Sequence, residues 1–136
     1  MCRALNLASY GLLQASARGK AEALLRHHLP APLVTEVDWP SLRRESGTLA
    51  DWDRETRKDL LFSVRCRHSD GEEPPHFLLV EPRSSVDPWM ALRMHDYTWR
   101  LIHHWRTLHA QNRLIPEVTP LVVSTQIFEV LDGPAQ

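Results

Sequence analysis

Asp59, Glu81 and Arg83 are the residues of this chain whose types and spacing suit chemistry. The apolar runs Leu60-Leu61-Phe62-Ser63-Val64 and Phe77-Leu78-Leu79-Val80 have strand length, and His68-Ser69-Asp70-Gly71-Glu72-Glu73 between them is turn-forming. Folded about Asp70, the runs pair positions that sum to 140, which sets Asp59 opposite Glu81. Side chains alternate along a strand, so Glu81 and Arg83 share a face, and one end of the hairpin presents two carboxylates and a guanidinium. Opposed carboxylates repel unless a positive group lies between them, and hard oxygen ligands are what Mg²⁺ prefers. A bound Mg²⁺ can activate a water and offset charge on a phosphodiester, while a basic side chain orients the water or the developing anion. Acidic residues at strand ends are also common as plain solvated groups, and spacing alone does not separate the two readings.

The elements that must position this trio can be read from periodicity. Residues 4–28 are rich in Ala, Leu and Arg, with Ala21, Leu24, Leu25 and His28 on one helical face, so they predict helix, broken near Gly19. Pro30 and Pro32 end it, and Leu33, Val34 and Val37 suggest one more helical turn before Trp39-Pro40. Arg43 to Lys58 carries five basic and four acidic residues and reads as a solvated connection, with an edge strand around Gly47 to Ala50. After the hairpin, Asp87-Pro88 reads as an N-cap followed by proline at the first helical position. Met90, Met94, Tyr97, Leu101, Trp105 and Leu108 then recur every three or four residues, an apolar stripe lasting to about His109. Val118 to Val123 is a short buried strand, and Ile127 to Leu131 extends or pairs with it. A strand joined by a helix to a later strand suggests a right-handed crossover, and the hairpin makes the sheet mixed. The expected fold class is α/β, a small mixed sheet with a β-hairpin flanked by helices.

Composition bounds the function. A length of 136 residues suits one domain, with 43% hydrophobic and 24% charged residues typical of globular chains. A formal net charge of −1 excludes a global basic field, so nucleic-acid binding would need a local patch. Two cysteines, Cys2 and Cys66, make a disulfide framework unexpected and suggest a reducing, cytoplasmic compartment. No apolar run approaches the roughly 20 residues of a membrane helix. The mildly apolar start is interrupted by Asn6, Ser9, Tyr10, Gly11 and Gln14, which argues against an export signal.

Other candidates are weaker. His27-His28 and His103-His104 are adjacent pairs that diverge on a helix, not the i, i+4 pair of a zinc helix. From Arg83 to Arg113 five arginines face only Asp87 and Asp96, and Arg93 and Arg100 share the polar side of the long helix, a strip that could face phosphate or simply water. The tryptophans read as core or interface anchors, and Cys66 as inert packing.

The segments Arg57-Lys58-Asp59-Leu60-Leu61-Phe62, Phe77-Leu78-Leu79-Val80-Glu81-Pro82-Arg83-Ser84-Ser85-Val86-Asp87-Pro88-Trp89-Met90 and Tyr97-Thr98-Trp99-Arg100 resemble the recombination-promoting nuclease family, also called YhgA-like transposases. The resemblance implies a PD-(D/E)xK-like core over a single domain, residues 1–136, and a Mg²⁺-dependent DNA endonuclease of mobile-element type. Asp59 and Glu81 match the metal-binding carboxylates, Arg83 stands at the third catalytic position, and DNA is the implied partner. The departures are specific. Arg83 replaces the family's glutamine, and a guanidinium can hold a phosphate but cannot accept a proton. Pro82 replaces histidine and removes a backbone donor, so the strand either ends at Glu81 or is distorted. Asn6 to Leu13 lacks the N-terminal motif, and Ser124-Thr125-Gln126 replaces Tyr-His-Gly. The chain therefore reads as a divergent, C-terminally short copy: a metal-dependent endonuclease homologue or, alternatively, an inactive remnant that binds DNA weakly or associates with full-length relatives.

Overall fold

The computed structural model describes residues 17–45 and 60–124. Helices α1 (Ala17–His28) and α2 (Ala31–Glu36) lead into strand β1 (Val37–Arg44). Strands β2 (Leu60–Cys66) and β3 (His76–Arg83) form the hairpin, and helix α3 (Met90–Leu108) connects β3 to β4 (Val118–Ser124). One sheet runs in the order β1-β2-β3-β4, antiparallel except for the parallel pair β3–β4. The mixed α/β architecture expected from the sequence is the one observed.

The hairpin register follows from its turn. Leu60 pairs with Val80, Leu61 with Leu79, Phe62 with Leu78 and Ser63 with Phe77, each pair summing to 140. Gly71, at φ 88°, supplies the left-handed residue that the reversal needs, and Asp70 Oδ1 accepts the Glu72 N–H at 3.0 Å. Because successive side chains point to opposite faces, the two runs feed two cores. Leu60, Phe62, Val64, Leu78 and Val80 pack with Ala21, Leu25 and Leu29, whereas Leu61, Phe77 and Leu79 pack with Met94, Tyr97, Leu101 and Trp105. The sheet is thus covered by α1 on one side and α3 on the other.

Several expectations require correction. Gly19 itself lies inside the described helix α1, where burial of Ala21, Leu25 and Leu29 outweighs the roughly 1 kcal/mol that glycine costs in a helix, so any break falls before Ala17, outside the described residues. Val37 opens strand β1 and does not continue the preceding helix. Trp39-Pro40 lies inside that strand, where four residues of β1 between Asp38 and Arg43 face only Val64 of β2. Ser41 fills the gap in the ladder: its Oγ accepts the Arg65 N–H at 2.8 Å and donates to the Asp38 carbonyl. Pro40, itself exposed, sits at an irregularity on the outer strand of the described sheet, where its missing N–H breaks no described ladder bond. Helix α3 begins at Met90, after a turn in which Asp87 Oδ1 accepts the Trp89 N–H at 2.9 Å and the Asp87 carbonyl accepts the Met90 N–H at 3.1 Å. Asp87 is therefore a cap one turn early. Leu108, expected in the stripe, is 44% exposed, because the last turn extends past the buried cluster that ends at Trp105. The expected edge strand at Gly47 to Ala50, the helix before Ala17 and the segment Ile127 to Leu131 lie outside the described residues.

Candidate functional site

Glu81 and Arg83 stand near the end of β3, on the face covered by α3. Their shared face follows from strand alternation, and Phe77 and Leu79 of the same parity belong to the α3-side core. Glu81 is 4% exposed. Its Oε1 lies 3.2 Å from Arg83 Nη2, while Oε2 is buried and has no hydrogen-bond partner among the described residues. Arg83 Nε is likewise buried without a partner. The strand does not stop at Glu81: Glu81, Pro82 and Arg83 pair with Val122, Val123 and Ser124 of β4. Phe77 donates its N–H to Glu117, on the β4 side, so the alternate position 82 directs its missing donor toward the β2 side. Strand β2 is described only from Leu60, opposite Val80, so Pro82 interrupts no described ladder bond. Asp59 lies outside the described residues.

Asp87 ties the strand end to the helix start. Arg93 Nη1 lies 2.8 Å from Asp87 Oδ2, and Arg83 Nη2 lies 3.8 Å from the same oxygen. The Trp89 N–H, then the Arg93 hydrogen bond, hold the Asp87 carboxyl below its ordinary range. The Arg93 guanidinium is pushed upward, chiefly by that same hydrogen bond. Two arginines therefore share one aspartate, and an open groove of about 460 Å³ is bordered by Arg83 and Asp87 together with Ser84, Ser85, Val86 and Val122. Arg100 is not drawn into this group; it pairs with Asp96 at 3.1 Å, farther along α3. Sequence reading took Asp87 as a cap alone and missed its bridging role, which depends on the turn at Pro88-Trp89.

One buried carboxylate oxygen is available to a cation, but the other is held by Arg83. Among the described residues no three of His, Cys, Asp and Glu converge to hold a metal ion. Glu81 thus offers a divalent cation one buried oxygen, beside a competing guanidinium.

A second cavity, about 400 Å³, lies near the opposite ends of β2 and β3, bordered by Glu36, Cys66, Glu73, His76, Leu114 and Ile115 among others. Its groups come from separate segments, so no spacing in the sequence announces it. Burial pushes the Cys66 thiol up, and Glu36, Glu117 and Glu73 add to this, which keeps it protonated and poorly nucleophilic. His76 shares a 2.6 Å hydrogen bond with Thr119 Oγ1 and lies 3.5 Å from Glu117 Oε2. Burial lowers its pKa below the ordinary 6.5, with Glu117 and Glu36 opposing in part. As pH falls below about 6.5 the unfolded chain takes up this proton before the folded chain does, so stability is lost until the folded pKa is passed. Thermal melts should show the midpoint falling with pH in that window. His76→Gln should flatten the profile by up to one proton's worth, a slope of about 1.4 kcal/mol per pH unit, with His28→Gln as the more exposed comparison.

No described helix is long and apolar enough to cross a membrane. The family model described as "Putative transposase, YhgA-like" matches residues 12–127. The chain is 32% identical over 103 residues to the recombination-promoting nuclease RpnA of Escherichia coli (strain K12), an alignment covering 75% of this chain and 34% of that protein. It therefore spans about a third of that relative's length. No solved structure matches it. With the family model matching most of the sequence, the chain belongs to the YhgA-like transposase family.

Proposed function

We infer that this chain is a DNA-associating relative of recombination-promoting nucleases whose carboxylate site is closed by its own arginine, so that it does not cleave DNA with Mg²⁺. The observation that carries this reading is the 3.2 Å pair between Arg83 and buried Glu81. A PD-(D/E)xK-type core is consistent with three antiparallel strands followed, through a helix, by a parallel fourth. In such a core Glu81 and Asp59 would hold Mg²⁺, which would supply an activated water and charge stabilisation at the scissile phosphate. Here Arg83 neutralises Glu81 and is fixed in its protonated state, so it neither accepts a proton nor vacates the carboxylate readily. What Arg83 retains is the capacity to hold a phosphate in the groove beside Ser84 and Ser85, by exchanging Asp87, which Arg93 also holds, for the DNA backbone.

The competing reading, an active endonuclease, is favoured by Glu81 Oε2, a buried oxygen without a partner among the described residues and of the kind a cation would satisfy. A plasmid-nicking assay with Mg²⁺, run beside Asp59→Ala, decides between them. The expected result is no cleavage by either protein, together with a salt-sensitive mobility shift of duplex DNA by both. Cleavage by the unmodified chain that Asp59→Ala abolishes would restore the nuclease, and absence of any shift would remove DNA from the account.

A further inference from the structure

The turn of the hairpin carries a peptide bond set up to rearrange. The side-chain carboxyl carbon of an aspartate can close a five-membered ring with the backbone nitrogen of the next residue, and glycine, lacking a Cβ, obstructs that closure least. Asp70-Gly71 is such a pair, and both residues are exposed. A Cβ added at Gly71 would meet no atom within 4 Å, so the fold does not wall the turn in. Asp70 Oδ1 accepts the Glu72 N–H at 3.0 Å, which holds the carboxyl on the Gly71 side of its own backbone. The Gly71 nitrogen lies outside the strand ladders, and its described hydrogen bond is a long one, 3.3 Å to Ser69 Oγ. The other described aspartates lack this combination. Asp87 precedes Pro88, which has no N–H, Asp96 precedes Tyr97 inside helix α3, and Asp38 precedes the buried Trp39 inside strand β1.

We propose that Asp70 is a modification site at which the folded chain converts aspartate to isoaspartate through a cyclic imide with Gly71. The Gly71 nitrogen bonds to Asp70 Cγ, the C–OH bond of the protonated carboxyl breaks, and the hydroxyl leaves with the amide proton as water. Water then adds to the Asp70 main-chain carbonyl carbon and its bond to the Gly71 nitrogen breaks. The main chain now runs through Cγ, a carboxylate stands on the Asp70 Cα, and the composition is unchanged, so no oxidant, metal or cofactor is needed. The structural cost falls on the turn. One methylene is added to the connection that holds Val64 against His76, and the carboxylate moves off the position from which it accepts the Glu72 N–H. Ser69 and Glu73, on either side of this dipeptide, border the cavity beside His76, so that end of the sheet loosens with the turn.

The test is prolonged incubation of the full folded chain at about pH 6 and about pH 8, both above the ordinary aspartate pKa, followed by peptide mapping and labelling with an isoaspartate-specific methyltransferase. A peptide containing residues 70 and 71, unchanged in mass but shifted in retention and open to methylation, should accumulate, faster at the lower pH because the carboxyl must be protonated to release water. The aged chain should melt below the fresh one. Asp70→Glu should abolish the product, since its ring would need six members. Asp70→Asn should convert faster than the unmodified chain, with the opposite pH trend, because ammonia leaves from a neutral amide. Asp132-Gly133, outside the described residues, is the same dipeptide, and mapping separates its product from that of Asp70. Isoaspartate at Asp70 only after unfolding in urea, an Asp70→Asn chain that stays unconverted while folded, or product confined to Asp132 would each overturn the proposal.

Discussion

Arg83→Gln should convert a chain that takes up little Mn²⁺ or Mg²⁺ into one that binds it, with affinity raised at least about tenfold, the equivalent of a single nearby charge at moderate screening. The guanidinium 3.2 Å from Glu81 Oε1 opposes a second cation at the same carboxylate, whereas a neutral amide leaves both Glu81 oxygens open. The same substitution should lower stability in chelator by about 1–3 kcal/mol. That is less than the loss of a fully buried pair, because the Arg83 side chain keeps 29% exposure while Glu81 keeps 5%. The signature is the combination: in thermal melts Mn²⁺ should raise the midpoint of Arg83→Gln and leave the unmodified chain unchanged. Adding Pro82→His, which restores a backbone donor, should not reduce the gain. Tight Mn²⁺ binding by the unmodified chain in calorimetric titration would show that Arg83 is part of a working centre and not a plug.

Phe77→Ala should cost about 3–5 kcal/mol, a large share of the 5–15 kcal/mol that typically separates folded from unfolded chains. Phe77 is fully buried and lies in the middle of the sheet, paired with Ser63 of β2 and Val118 of β4. Its ring belongs to the cluster of Leu61, Leu79, Met94, Tyr97, Leu101 and Trp105 that fixes α3 to the sheet. Truncation opens a void that three elements must share, and the close packing on every side limits collapse. Leu108→Ala, at the exposed end of the same helix, should change stability by no more than about 0.5 kcal/mol. Urea denaturation of the two variants gives the comparison, and similar midpoints for both would contradict the two-layer core described above.

What could be read in advance was whatever depends on local pattern. The continuous apolar runs Leu60 to Val64 and Phe77 to Val80 announce two strands buried on both faces, and the turn at Asp70-Gly71 between them sets the register. The stripe Met94, Tyr97, Leu101, Trp105 is likewise local, and it is buried as expected. Strand β1 was not legible, because Trp39-Pro40 reads as a break and the strand is held by partners distant in sequence, including Ser41 with Arg65. The pairing of Glu81 with Arg83 followed from strand alternation, supported by family resemblance. The attachment of Arg83 and Arg93 to one aspartate did not, since it arises from the path of the chain at Pro88-Trp89. The cavity beside His76 was invisible for the same reason, its groups being gathered by topology from several segments.

The irregular stretch of β1 also bears on how the protein behaves when concentrated. A regular outer strand offers a row of unpaired donors and acceptors on which a second chain can grow by strand addition, the route to cross-β aggregates. Along β1, the outer strand of the described sheet, that row is broken where four residues face one and Pro40 contributes no donor at all. Arg43 and Arg44, both exposed, close the strand with charge. Replacing Pro40 alone would leave the mismatch in place, so this border is protected twice over against templated polymerisation.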